Sequence, residues 1–344
     1  MMQNSDADDC PIMTSMGMLI IDENEYPASW NREPEVDIIG GGGPYTIVGG
    51  RIIAGVKYGK RICGIIDQGY DFPPSMLQEL KGWNCGLIFR EDKNRKTTRG
   101  KNIYTVDNIR LFEYKSEKKQ ITAEDIISNE ILAKSKSIHL LCSFDRCLLF
   151  INQISLKNPE TIFLFEPLPS DCILDNFNKL KTTLSKITIF TPNLDEASEL
   201  TNLPKSDLIG ITNLFLKFLP PNGGVVLRCG SEGCFINTND NSLPPFSLPA
   251  YHQNQSKVID VTGGGNSYCG AFMTGFYLSN FDWKVAAICG NLASGCIIEK
   301  LGMPQYNLTD DTWNGENLNT RLDTYLKNNP DLNIDKSKFS WIYE

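Results

Sequence analysis

No Cys-x-x-Cys pair occurs in this sequence, and histidine is limited to His139 and His252. Zinc modules and thiol redox motifs need that spacing, so its absence argues against both. The eleven cysteines, among them Cys142, Cys147, Cys229, Cys234, Cys289 and Cys296, then read as reduced, buried thiols. Apolar runs of membrane-spanning length are also missing, and the start MMQNSDADDC is polar and acidic where a secretory leader has a basic start and an apolar run. The expectation is an intracellular, cytoplasmic chain with no membrane partner, the nucleus being the other compartment open to it. Lys/Arg-rich stripes are absent too. With 33 basic against 41 acidic residues the net charge is −8, which argues against direct contact with a nucleic-acid backbone. There is no Gly-x-x-x-x-Gly-Lys-Ser/Thr phosphate loop. Gly40 to Gly43 fail as a dinucleotide fingerprint, because Pro44 interrupts the turn and Tyr45 stands at the third glycine position.

What is present is enough apolar material, 41% of 344 residues, for one large core or two smaller ones. Short β-branched runs alternate with segments of helical pattern, the signature of a parallel sheet covered on both faces. Strands are expected at Ile62–Ile66, Leu87–Arg90, Ile138–Cys142, Thr161–Phe165, Ile187–Phe190 and Val225–Leu227. Glu23–Ile39 and Arg95–Tyr114 fit this alternation poorly and read as strands of a small excursion from the sheet. Thr238–Gln255, rich in Pro, Asn and Ser, reads as a connecting loop. Beyond Met303 the chain is polar and acidic, yet Trp313, Leu322, Tyr325 and Trp341 point to a tail that docks.

Three motifs carry chemistry. Asp260-Val261-Thr262-Gly263-Gly264-Gly265-Asn266-Ser267 sets three glycines before an apolar helical run from Tyr268 to Leu278. Unhindered N–H groups and the positive end of the helix make an anion cradle there, the alternative being a glycine turn kept for tight packing. Asn193 and Glu196, directly after the Ile187–Phe190 strand, place an amide and a carboxylate on one face of a first helical turn. They can organise a hydrated Mg²⁺, or simply cap the helix as an Asn-x-x-Glu capping box. The third motif is a strand, a turn with Gly230 and Gly233, and a second strand. A ligand can approach its backbone closely, and Arg228 either reaches a phosphate or is solvated.

In order, Asn-x-x-Glu, Gly-x-x-Gly and Asp-x-Thr-Gly-Gly-Gly, with gaps of roughly 30 residues, resemble the PfkB/ribokinase family of small-molecule kinases. Met16–Glu23 looks like that family's first strand, Gly41-Gly42-Gly43-Pro44 like its substrate-side Gly-Gly signature, and Ala286–Gly295 like its penultimate helix. The likeness runs from about Ser15 to Pro304. It implies a doubly wound α/β fold, with a mostly parallel sheet, helices on both faces and a small β lid. The layout is then a disordered N-terminus over 1–14, a ribokinase-like domain over 15–305 with lid strands from about 23–39 and 95–114, and a docked extension over 306–344. The likeness also implies Mg²⁺-dependent transfer of the ATP γ-phosphate to a hydroxyl of a sugar or nucleoside. Carried over by position, Asp22, Gly42, Gly43 and Thr46 would bind the acceptor. Asn193 and Glu196 would organise Mg²⁺ through water. Arg228, Gly230, Gly233 and Asn291 would flank the nucleotide, and Gly263, Gly264 and Gly265 would form the anion hole.

The main departure is at Asn266, where the family pattern has an aspartate acting as general base. An amide cannot take that proton near neutral pH, a loss typically of about 10²- to 10⁴-fold in rate. Backbone amides are untouched by the exchange, so slow turnover stays physically allowed. Thr46 stands for the usual asparagine of the Gly-Gly signature, Arg228 for the usual hairpin threonine, and Glu166-Pro167 for a commoner Asp-Pro. This profile is similar to a divergent fungal branch of the family, the maintenance-of-killer proteins, which is linked to maintaining a cytoplasmic double-stranded RNA virus particle. Two readings follow: a slow kinase, or a pseudokinase that binds nucleotide or sugar and acts through a protein partner. A homodimer through lid strands is compatible with either.

Overall fold

A computed structural model of the chain describes residues 10–107 and 110–344. In chain order its strands include β1 (Met13–Ser15), β2 (Ile20–Glu25), β3 (Glu35–Gly40), β4 (Ile62–Gly69), β5 (Gly86–Asp92), β6 (Arg99–Tyr104), β7 (Arg110–Tyr114), β8 (Ser137–Cys142), β9 (Ile162–Pro167), β10 (Ile189–Phe190), β11 (Gly224–Arg228), β12 (Cys234–Thr238) and β13 (Phe246–Leu248). Among the described residues nine of these form one sheet in the order β13-β12-β11-β10-β9-β8-β1-β4-β5. From β5 across to β11 every neighbouring pair is parallel, and β12 runs against both β11 and β13. Strands covered on both faces must be apolar without alternation, as Phe163-Leu164-Phe165 of β9 and Val225-Val226-Leu227 of β11 are.

The helices are α1 (Gly42–Tyr58), α2 (Pro74–Gly82), α3 (Ala123–Ile127), α4 (Phe144–Lys157), α5 (Phe177–Leu184), α6 (Leu194–Thr201), α7 (Leu208–Leu216), α8 (Gly264–Leu278), α9 (Trp283–Ile297) and α10 (Leu318–Asn328). They fall on the two faces of the sheet. Ile52, Leu80, Phe272, Leu292 and Leu322 from α1, α2, α8, α9 and α10 build one core. Ile126, Phe150, Leu180, Leu200 and Phe215 from α3 to α7 build the other. α4 shows the local logic. Ser143 caps it by accepting from the Arg146 N–H, and Cys147, Phe150, Ile151 and Ile154 recur at the 3.6-residue period on its buried side.

The second sheet, ordered β3-β2-β6-β7, is the expected lid. β2 pairs antiparallel with β3 and parallel with β6, and β6 pairs antiparallel with β7. Residues 108 and 109 of the expected stretch lie outside the described residues.

Three expectations need correction. Of the N-terminal stretch 1–14 expected to be disordered, residues 1–9 lie outside the described residues, but Cys10–Thr14 are buried and β1 sits between β4 and β8 inside the sheet. Met16–Glu23 is not the first core strand. That strand is β1, and Ile20–Glu25 belongs to the lid. Three residues are too few to show a period, so the longer apolar run beside them masked β1. Within 238–255, Phe246–Leu248 adds β13 as an edge strand, with Pro245 and Pro249 at its two ends, where a missing N–H is tolerated. In the tail, Trp313, Leu322, Tyr325 and Phe339 are buried, and the Trp341 indole donates to the Ile53 carbonyl at 3.2 Å.

Candidate active site

Parallel strands deliver their carboxyl ends to one edge of the sheet, where open α/β folds hold ligands. Here β9 delivers Glu166, β10 leads into Asn193 at the start of α6, and β11 ends on Arg228. A cleft of about 670 Å³ lies between this edge and the lid. The core lines it with Glu166, Asn193, Glu196, Arg228, Asp260, Gly263, Gly265 and Asn266, and the lid with Tyr26, Trp30, Arg32 and Tyr104. A smaller cavity of about 170 Å³ is lined by Gly230, Gly233, Tyr251, Gly264, Gly265, Tyr268, Asn291 and, again, Arg228. The first turn of α8 and Arg228 therefore border both spaces, so two ligands held one on each side would meet across them.

The glycine run has two distinct physical reasons. Gly263 is the N-cap of α8 with φ +77°, and a Cβ there would lie 2.1 Å from the Tyr45 ring. At Gly265 a Cβ would lie 2.2 Å from Arg228 Nη1, so the guanidinium is seated directly over the helix start. The helix start expected to cradle an anion thus has a cationic side chain fixed beside it. Arg228 is not a solvated side chain: it is 13% exposed, ion-paired to Glu166 Oε1 at 2.8 Å and to Glu196 Oε2 at 3.7 Å, and it donates to the Thr191 carbonyl at 3.1 Å.

Asn266 faces Glu166. Its Nδ2 donates to Glu166 Oε2 at 3.0 Å, and the same oxygen lies 3.0 Å from His139 Nε2. Burial opposes ionisation of Glu166. The Arg228 charge and the hydrogen bonds from His139 and Asn266 outweigh it and hold the carboxyl at about 2. Burial, with Glu166 beside it, pushes the Cys269 thiol well up, so this neighbour of His139 and Glu166 stays neutral. His139 does not stand alone, as its place in the sequence suggested.

Asn193 and Glu196 form the capping box. Asn193 Oδ1 accepts from the Glu196 N–H, and Glu196 Oε2 accepts from the Asn193 N–H, both at 2.8 Å. Burial raises the Glu196 carboxyl, an effect that Arg228 and the Asn193 N–H only partly offset. These two groups were the expected holders of Mg²⁺. One oxygen of each is already bonded to a backbone N–H at the positive end of α6, and the charge facing Glu196 is a guanidinium. A divalent cation does not fit this arrangement as it stands. A phosphate fits better, because Arg228 lies over Gly265 at the positive end of α8, although the Gly264 N–H is already taken by the Val261 carbonyl at 3.2 Å.

On the acceptor side the outcome is divided. A Cβ at Gly42 would lie 3.2 Å from Asn266 Nδ2, which puts Gly42 beside the cleft, whereas Gly43 packs against Gly17. Thr46 is fully buried and its hydroxyl donates to the Gly42 carbonyl at 2.8 Å, so it is not a substrate ligand in this structure. Asp22 is 8% exposed inside the lid sheet between Gly40 and Gly100 and is not among the residues lining the cleft. The Asp22 assignment assumed the end of a core strand, which the place of β2 in the lid removes, whereas Thr46, carried over from the Gly-Gly signature, is turned into the core by α1. On the other side Gly230, Gly233 and Asn291 do line the smaller cavity, and Asn291 donates to the Pro249 carbonyl at 3.0 Å and to the Tyr325 hydroxyl at 3.2 Å. Sequence reasoning missed His139 and the lid wall of Tyr26, Trp30, Arg32 and Tyr104. For His139 the available signal was its place on the strand preceding Glu166; for the lid wall it was aromatic residues clustered in a polar excursion.

The pattern of the pfkB family of carbohydrate kinases matches residues 75–308. The chain belongs to this family. It is similar to Protein MAK32 of Saccharomyces cerevisiae, with 36% identity over 339 residues and 92% of each chain covered, which supports the maintenance-of-killer branch. The ribokinase of Giardia lamblia superposes with a TM-score of 0.70 at 17% identity, over 93% of this chain and 99% of that one. A ribokinase II of E. coli with ATP and Mg²⁺ bound gives 0.66 at 15% identity, over 92% and 99%. These structures establish the ribokinase-like fold. No helix among the described residues is long and apolar enough to cross a membrane.

Proposed function

We propose that this pfkB-family chain binds ATP with its terminal phosphate at the start of α8, holds a hydroxyl of a sugar or nucleoside in the lid-side cleft, and transfers phosphate to it slowly. One observation carries the reading: the side chain at the base position, Asn266, is engaged as a hydrogen-bond donor to Glu166. Neither partner can take a proton near neutral pH. The amide has no basic site, and the carboxyl at about 2 is too weak a base. Asp260, the other carboxylate of the motif, accepts from the Thr262 N–H at 3.0 Å and caps its own turn. What remains is positioning and charge stabilisation, the larger part of phosphoryl transfer.

Asn266→Asp tests this. The new carboxylate would share a buried corner with Glu166, and like charges there raise carboxyl proton affinity, which makes a better base. ADP formation with a matched acceptor from a sugar and nucleoside panel is expected to rise by about 10²- to 10⁴-fold. No gain despite confirmed ATP and acceptor binding would sink the slow-kinase reading. It would leave the second reading, a cytoplasmic nucleotide- and sugar-binding protein that acts through a protein partner, which the Asn266–Glu166 bond also favours.

A further inference from the structure

We propose that Arg228 takes the place of the divalent cation, so that this site binds nucleotide phosphates without metal. The inference rests on the nucleotide reading above and goes beyond it in naming what neutralises the phosphates. The guanidinium lies 2.8 Å from Glu166 and 3.7 Å from Glu196, the carboxylate expected to organise Mg²⁺, and over Gly265 at the start of α8. An ion with two positive charges arriving there would meet this fixed charge and the positive ends of two helices, α6 and α8. Asn193 Oδ1 and Glu196 Oε2 already face N–H groups of α6. Arg228 is itself incompletely used. Nη1 and Nη2 are engaged, but Nε is buried with no hydrogen-bond partner among the described residues. A phosphate oxygen reaching the helix start would supply that partner, and the planar donor fork of arginine suits phosphate oxygens. The cation thus comes with the chain, pre-positioned by Glu166, and its occupancy does not depend on metal concentration.

The deciding experiment titrates the full chain with ATP by calorimetry, once in EDTA and once in excess Mg²⁺. Affinities in the two conditions are expected to agree within about threefold, and Arg228→Thr is expected to lose about tenfold or more in EDTA and to regain affinity when Mg²⁺ is added. Wild-type binding about tenfold or more tighter with Mg²⁺ than in EDTA would overturn the proposal while leaving nucleotide binding intact. Binding in neither condition would remove the nucleotide reading and the proposal with it. Because Arg228→Thr strips Glu166 of its ion pair and can unfold the chain, the two wild-type titrations decide without it. A second readout is the paramagnetic signal of free Mn²⁺. Protein with ATP should take up no more Mn²⁺ than ATP alone, and additional tight uptake would count against Arg228 as the resident cation.

Discussion

Glu166 is ionised in a buried corner because three donors converge on it, one from each of β8, β11 and α8. Its depressed proton affinity has a direct pH consequence. A carboxyl at about 2 when folded, against its ordinary 4.5, stabilises the fold fully above about pH 4.5, and this contribution is lost as pH falls through about 2. Glu166→Gln removes that dependence. At pH 7 it also leaves Arg228 buried beside only the more distant Glu196, a change expected to cost about 3–5 kcal/mol. Denaturant midpoints of both proteins between pH 7 and pH 3 check this. Wild type should weaken steeply at the acid end and the variant much less, and equal slopes would show that Glu166 has ordinary proton affinity. None of these partners adjoins another in sequence, so the motif reading could name Glu166 as a departure without seeing what it pairs with.

At the scale of single elements, α6 shows what local sequence controls. Asn193 and Glu196 satisfy each other's backbone groups across one helical turn, and the three-residue spacing predicts this without tertiary information. Asn193→Ala should destabilise the protein by about 0.5–2 kcal/mol, read as a shift in the denaturation midpoint. A much larger loss would mean that the amide does more than cap. The long core strands were legible for a similar reason, since β4, β5, β8, β9 and β11 are apolar runs bounded by turn residues. β1 and β13 were not, because three residues cannot display a period; β1 is placed by β4 and β8 on its two sides, and β13 at the sheet edge by β12. The lid strands were legible only as misfits. Their mixed polarity reflects a sheet whose buried positions include Asp22, Asn24 and Asn102, with the Asn102 amide donating to the Asn24 side chain at 2.9 Å.

Across the whole molecule, the C-terminal extension is structural support for the smaller cavity. Arg321 of α10 is 2% exposed and grips Glu299 with two bonds of 2.7 and 2.9 Å. The Tyr325 hydroxyl accepts from Asn291 and donates to the Pro249 carbonyl at 2.7 Å, fixing a residue that lines the cavity. Removing residues 318–344 would leave Glu299 without this arginine and uncover the apolar surface that Leu322, Tyr325 and Phe339 bury. The shortened chain is expected to melt well below the full chain, or to aggregate, and to bind ATP more weakly if it stays folded. Thermal melting with and without ATP reads both effects. A shortened chain with unchanged melting and unchanged ATP response would mean that the extension is dispensable. The docking itself was foreseeable from four large apolar side chains in a polar tail. Its contact with Asn291 was not.

The sequence by itself determined the alternation of strands and helices, the caps and the glycine turns, because each depends on hydrogen bonds and sterics acting over a few residues. It also exposed the exchange at Asn266, since an amide lacks a basic site near neutral pH wherever it stands. Only the tertiary structure decided what that exchange means. Asn266 and Glu166 are 100 positions apart, and Arg228 comes from a third element, β11. Charge interactions fall off with distance through space and strengthen with burial, and neither quantity can be read from separation along the chain.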